Sequence, residues 1–318
     1  MALQWDEVGW QETVDGWIDD TLAELEIERV DAVDHFRRRP WAALARVATM
    51  QGDLYFKADA PSEAYEPALT EWLAGRRPDL VPDVLRIDAD RGWLLTRDAG
   101  TSLRDHITDP PDAAIWSDLL PLSAELQIEL APSVEELLAL GVPDSRPELL
   151  SQLYEDLLSR WPAAASAPPV EIARLVDALG DTIPAALSHE ELQDHNILLR
   201  DGAPVVIDWA EAVVEHPFCG LVNTFRGLVD RWGFEAGASD LIALRDAYLE
   251  PWTTYAPLPR LGELFDLAYP LGMLCRALSW DRLLTELPAH DRGEFEDFVP
   301  AWLEMAAEAV AGKARLGS

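Results

Sequence analysis

The sequence predicts an α+β chain, with a small antiparallel sheet in residues 1–98 and a mostly helical remainder in residues 99–318. Three observations predict it. Short alternating apolar stretches crowd the first part, around 27–33, 44–49 and 54–58. After Asp98-Ala99-Gly100 the apolar period lengthens to that of helices. Two short apolar runs, 196–200 and 204–208, flank Asp201-Gly202 and read as a single hairpin inside the helical part.

Taken in order, Val8, Val14, Trp17, Ile18, Leu22 and Leu25 alternate with acids and predict an amphipathic opening helix. The three strands follow, the second and third joined through the turn Gln51-Gly52-Asp53. Residues 64–74 predict a helix, with Pro67 tolerable only in its first turn and Arg76-Arg77-Pro78 breaking it. Val84–Asp88 and Gly92–Thr96 predict another hairpin. Helical periods then cover 113–129, 133–140, 147–161 and 169–179, and after the Asp201-Gly202 hairpin 221–232, 239–248, 261–284 and 293–311. Trp116, Trp161, Trp232, Trp252 and Trp280 fall on these periods and are expected mainly in the core.

A chain of 318 residues with 49% apolar content can bury a substantial core, which excludes a disordered protein. Its net charge of −33 argues against a nucleic-acid partner, whose phosphates recruit Lys and Arg, and permits a cationic ligand. Cys219 and Cys275 form no CxxC pair, so they are expected as buried thiols rather than as a disulfide framework or a zinc site. Met1–Trp10 lacks a basic start and an apolar core, and no apolar run reaches membrane-spanning length. A cytoplasmic protein with no membrane partner is expected.

Lys57 and Lys313 are the only lysines, every other cationic side chain apart from histidine being arginine. A lysine kept on the strand at 54–58 invites a functional reading. The segment His189-Glu190-Glu191-Leu192-Gln193-Asp194-His195-Asn196 carries an acid two residues after a His and an Asn five residues after that acid, directly before the hairpin. Across the hairpin, Val205-Val206-Ile207 ends at Asp208, which brings Asn196 and Asp208 to one end of the two-strand ribbon. Two oxygen donors there suit Mg²⁺, which keeps several waters and takes further ligands from nucleotide phosphates. Glu191 would then accept a hydrogen bond from an incoming hydroxyl. Glu190 and Asp194 are nearby alternatives for that acid and are expected instead as solvated surface acids, and His35, His106 and His290 lack metal-ligand spacing.

These residues resemble the kinase catalytic loop H-x-D-x-x-x-x-N followed by the metal-binding Asp of the next strand. With the ending Ile207-Asp208-Trp209 they look like the aminoglycoside-phosphotransferase family, also called the phosphotransferase enzyme family, from Lys57 through to the terminal helices. The resemblance implies a bilobal protein-kinase-like fold. It implies Asn196 and Asp208 as metal ligands, Glu191 as the catalytic acid, His189 as a brace for the loop and Glu211 as a supporting acid. It implies that Lys57 holds the α and β phosphates while paired with a Glu on the next helix. Glu63, Glu66 and Glu71 are available there, and Glu66 fits the family spacing best. Thr96, Arg97 and Asp98 would supply backbone groups to adenine. The implied activity is Mg²⁺-dependent transfer of the γ-phosphoryl group of ATP or GTP to a hydroxyl of a small, cationic acceptor, such as an aminoglycoside-like antibiotic or an amino sugar.

Three departures stand out. Glu191 occupies the place of the family's Asp. No glycine-rich loop precedes Lys57, and Glu215–Leu221 lacks the Asp usual after the metal strand, with His216 as either its substitute or a packing and capping residue. The alternative reading is therefore a nucleotide-binding pseudokinase with a regulatory or binding role.

Overall fold

The computed structural model describes residues 3–108, 113–313 and 316–317; Met1 and Ala2 of the opening segment lie outside them. The elements run α1 (Trp10–Glu24), β1 (Asp34–Arg38), β2 (Ala42–Thr49), β3 (Gly52–Asp59), α2 (Glu66–Ala74), β4 (Val84–Asp88), β5 (Trp93–Arg97) and β6 (Thr101–Ser102). The middle holds α3 (Ala114–Leu130), α4 (Val134–Ala139), β7 (Asp144–Ser145), α5 (Pro147–Arg160), α6 (Pro169–Leu179) and β8 (Ala186–Ser188). After these come β9 (Ile197–Arg200), β10 (Ala203–Val206), β11 (Val213–Glu215), α7 (Val222–Asp230), α8 (Ser239–Leu249), α9 (Leu258–Glu286), α10 (Ala289–Arg292) and α11 (Phe298–Val310). Two compact units result. One gathers Met1–Thr101, Ile197–Ala210 and Arg282–Phe295; the other gathers Ser102–Asn196, Glu211–Asp281 and Glu296–Ser318.

The first unit is built on a five-stranded sheet of order β1-β2-β3-β5-β4, antiparallel throughout. Helix α1 buries Trp10, Val14, Ile18 and Leu22, spaced by four residues and so on one face. Trp10 and Trp17 pack against Phe56 and Trp93 of the sheet, edge-on except for the tilted pair Trp10–Phe56, at centroid separations of 5.6 to 6.4 Å. In β3 the alternation puts Leu54, Phe56 and Ala58 in the core, which turns Lys57 to the opposite face. The strand expected at 27–33 is reduced to one bridge, Arg29 to Thr49, and the edge strand is Asp34–Arg38 instead. Its residues are nearly all exposed, so no apolar period marks it.

The β9–β10 hairpin pairs Ile197 with Val206 and Arg200 with Ala203. Gly100 (φ +110°) packs against it so tightly that a Cβ there would lie 2.1 Å from the Leu199 carbonyl oxygen, a place only glycine can take.

The second unit is helical around Phe218, whose ring meets Tyr248 at 5.8 Å and Trp252 at 5.7 Å. Trp116, Trp232 and Trp252 are buried as expected; Trp161 and Trp280 are half-buried, the first donating to Asp281 at 2.7 Å and the second stacking on Phe298 at 4.4 Å. A small sheet of order β7-β11-β8, with strands of two or three residues, was not visible as a period because it is shorter than one. Helix α9 runs close to the Cys219 backbone: a Cβ on Gly272 would meet the Cys219 carbonyl oxygen at 2.3 Å. No helix among the described residues is long and apolar enough to cross a membrane.

Candidate active site

In the first unit the polar face of β3 carries Lys57. Its Nζ donates to Glu66 Oε2, lies 2.5 Å from Asp208 Oδ1 and stands 3.2 Å from Asp59 Oδ1. Of the three glutamates offered by the following helix, Glu66 is the one that meets it. Burial works against charge on Lys57, yet Asp208, Asp59 and Glu66 together outweigh it and hold the ammonium well above its ordinary 10.5. Glu66 opens α2 and is itself buried, and its Oε1 accepts the Trp209 backbone N–H at 2.8 Å. The Tyr65 hydroxyl donates to the Ala210 carbonyl. The start of α2 thus grips the chain immediately after Asp208, a non-glycine residue at φ 64°. A left-handed backbone there costs on the order of 1–2 kcal/mol. These bonds hold it.

Asp59 has no counterpart in the sequence reading. It follows Lys57 by two residues on the same face of β3, a spacing that marks it in retrospect, and burial followed by the charge of Glu66 pushes its carboxyl well above the usual range. Thr96 sits buried on β5, paired with Tyr55, while exposed Asp98 braces a turn, its Oδ1 accepting from Gly100 N at 3.0 Å and its N–H donating to Asp53 at 3.1 Å.

In the second unit the loop after β8 carries His189, Glu191 and Asn196. Short-range bonds fold it on itself: Glu191 N to His189 O at 2.8 Å, Gln193 N to Glu191 O at 2.7 Å and Asn196 N to Gln193 O at 3.0 Å. His189 and Asn196 are buried. The Asn196 amide nitrogen donates to Glu191 O at 3.0 Å, which leaves its amide oxygen as the atom suited to a cation. That oxygen is a hard donor of the kind Mg²⁺ takes, and in the first unit the Asp208 carboxylate is of the same kind.

Glu191 does not stand in water. Its Oε1 accepts from Arg276 Nη2 at 2.8 Å and from Asn223 Nδ2 at 2.6 Å. Arg276 Nη1 lies 2.5 Å from Glu211 Oε2 and 3.2 Å from Glu190 Oε2. Burial again opposes the charge, and the three carboxylates Glu211, Glu191 and Glu190 keep the guanidinium protonated, its pKa raised. Neither Arg276 nor Asn223 was among the expected site residues. The signal was an arginine inside the apolar run 271–278, a place where an unpaired charge is not tolerated.

Glu190 and Asp194, expected at the solvated surface, are both buried. The correction has a physical cause in each case, because each acid has partners. Glu190 is bound by Arg276 and by Ser279 Oγ at 2.7 Å. Asp194 accepts from Arg104 Nη2 at 3.1 Å, with His195 Nδ1 at 3.5 Å. Burial alone would raise Asp194, but hydrogen bonds from His195 and Arg104 prevail and bring it down to about 2.

His216 is a capping and packing residue. Its Nδ1 accepts the Phe218 N–H at 3.3 Å, its ring meets Phe218 edge-on at 4.9 Å, and burial lowers its pKa to about 3, so it stays neutral. Beside it, Glu215 is fully buried, with both thiols, Cys219 and Cys275, within 4.8 Å. Burial first, then the neighbouring Cys275 and Glu190, push its carboxyl well above 4.5. Below 4.5 both folded and unfolded chains hold the proton; as pH rises the unfolded chain releases it first, so stability falls until the folded pKa is passed. Glu215→Gln is therefore expected to match the wild type at pH 4 and to melt a few degrees higher at pH 8, by about 1–3 kcal/mol. Equal melting curves at both pH values would refute the neutral, buried acid.

The sequence profile of the phosphotransferase enzyme family matches residues 32–258. No curated protein matches the chain by sequence. Among solved structures, ethanolamine kinase from Plasmodium vivax is similar at a TM-score of 0.64 and 13% identity, covering 93% of this chain and 85% of that one. Choline kinase LicA from Streptococcus pneumoniae is similar at 0.59 and 14%, covering 94% and 99%. The macrolide 2'-phosphotransferase MphH from Brachybacterium faecium is similar at 0.54 and 21%, covering 92% and 97%. At such identities the likeness is one of fold, and the fold is protein-kinase-like. A match across residues 32–258 is more than half of the chain, and with it the chain belongs to the phosphotransferase enzyme family of small-molecule kinases.

Proposed function

We propose that the protein transfers the γ-phosphoryl group of ATP or GTP to a hydroxyl of a small, amine-bearing acceptor. The observation that carries this reading is the grip of Glu66 and Asp208 on Lys57, because a lysine held by a helix glutamate on a central strand is the arrangement that receives nucleotide phosphates. In this assignment Lys57 neutralises the phosphates and Glu66 keeps its ammonium on station. Backbone groups of Thr96–Asp98 meet the base. Asp208 and the Asn196 amide oxygen are the proposed ligands of Mg²⁺, which when bound shields phosphate charge. Glu191 orients the acceptor hydroxyl, and His189 braces the loop. A loose phosphoryl-transfer transition state asks the acid chiefly for orientation, so a glutamate can serve where an aspartate is usual.

An amine on the acceptor is supported by the net charge of −33 and by the excess of carboxylates over guanidinium at Glu190, Glu191, Glu211 and Arg276. The similar folds named for ethanolamine and choline kinases suggest where to begin. The test is incubation with Mg²⁺ and ATP or GTP over a panel of choline, ethanolamine, aminoglycosides and macrolides, with mass-spectrometric detection of an added phosphate. Phosphorylation of an amine-bearing member is expected. Nucleotide binding without turnover on any acceptor points to a pseudokinase, and absence of nucleotide binding by calorimetry refutes the kinase assignment.

A further inference from the structure

We propose that Arg276 and Asn223 are the positioning residues of the phosphoryl-transfer step, holding the longer carboxylate of Glu191 where a shorter one would otherwise stand. The assignment rests on the kinase reading of Glu191 and goes beyond it. A glutamate has one more rotatable bond than an aspartate, and a flexible acid spends less time at the acceptor hydroxyl. Here that freedom is removed. Arg276 Nη2 and Asn223 Nδ2 both donate to the same oxygen, Oε1, at 2.8 and 2.6 Å, and fixing one oxygen of a planar carboxylate sets where the other lies. Both donors come from helices rather than loops. Asn223 is at the start of α7, where it also donates to Glu190 O at 3.2 Å and where the next residue, Thr224, donates to Leu192 O at 2.8 Å.

Arg276 belongs to α9, which the small Gly272, one turn earlier, lets come close to the Cys219 backbone. Its other terminal nitrogen meets Glu190 and Glu211, so one planar fork spans the loop at 190–191 and the segment after Asp208. Ser279, one turn later on α9, secures Glu190 from the same helix. A lysine is a point charge and cannot make this span. Glu190 itself adopts φ 60°, a strained conformation for a side chain that is not glycine, and its buried carboxylate is the anchor that holds it.

The experiment measures steady-state ADP release from MgATP, first with water as acceptor and then with choline and ethanolamine, for wild type, Arg276→Met, Arg276→Lys, Asn223→Ala and Glu191→Asp. Removing a hydrogen bond to a charged group predicts a fall in kcat of about 10- to 100-fold for Arg276→Met, with KM for ATP changed by less than about threefold. Arg276→Lys regains part of the loss. Asn223→Ala leaves the ion pairs of Arg276 in place and is expected to lose about tenfold, so it decides the matter if Arg276→Met does not fold. A shorter acid cannot reach both donors, so the Arg276→Met effect shrinks in the Glu191→Asp background, a coupling that a purely structural role would not produce. Folded Asn223→Ala or Arg276→Met with wild-type kcat, or an additive double-mutant cycle, overturns the proposal alone. A wild type that releases no ADP under any condition overturns the kinase reading and this assignment with it.

Discussion

Lys57→Ala is expected to lose nucleotide binding and phosphoryl transfer together, with kcat/KM down by about 10²- to 10³-fold or more because the phosphates lose their cation, and to lose about 3–5 kcal/mol of stability because buried acids are left unpaired. The geometry makes the loss double. One ammonium serves Glu66, Asp208 and Asp59, and its side chain is 13% exposed. Without it, the buried Asp59 and Glu66 face each other and the half-exposed Asp208 with no cation between them. Two measurements separate the consequences. Calorimetric titration with MgATP reports the lost phosphate contact, and thermal melting reports the uncompensated acids. The destabilisation should shrink as pH falls, since the freed carboxylates then take up protons and the folded variant no longer carries their charge. Lys57→Arg keeps the charge but changes its shape, and is expected to recover stability better than activity. Wild-type nucleotide affinity in Lys57→Ala would remove the observation on which the functional proposal stands.

Glu191→Gln carries the second large effect, a fall in kcat of about 10²- to 10⁴-fold with nucleotide affinity unchanged. Glutamine preserves volume and can still accept one hydrogen bond, but it cannot take a proton from the acceptor hydroxyl late in the transfer. Its amide also makes a poorer partner for Arg276, which is then left with Glu190 and Glu211. Melting should move far less than in Lys57→Ala, since Arg276 keeps two carboxylates. Turnover equal to wild type, where wild type is active, would exclude Glu191 as the acid; equal turnover at background in both would mark a pseudokinase.

Much of the fold was legible because its long elements repeat their period several times. The helices at 147–161 and 169–179 and the Asp201-Gly202 hairpin stand within one or two residues of their expected bounds. What escaped was short or did not bury a face. β1 is an exposed edge, and β7, β8 and β11 are two or three residues long. The residues proposed for function divide along the same line. Lys57, Glu191, Asn196 and Asp208 announce themselves by order and spacing within motifs. Asp59, Asn223 and Arg276 do not, because what relates them to their partners is tertiary: Arg276 is 85 residues from Glu191 in sequence and 2.8 Å from it in space. The acids at 190 and 194 depart from their expected place for the same reason. A carboxylate is expected in solvent until its cation is known, and here the cations arrive from Arg276 and Arg104.

The confinement of Lys57 also shapes the protein's covalent chemistry. An amine reacts as a nucleophile only when it has shed its proton, and Lys57 is crowded by three acids that hold its proton. The other lysine, Lys313, stands exposed just past the end of α11. For acylating and crosslinking reagents that target lysine, the chain presents a single open side-chain amine, so a label placed on a lysine by such chemistry falls at one known position and spares Lys57.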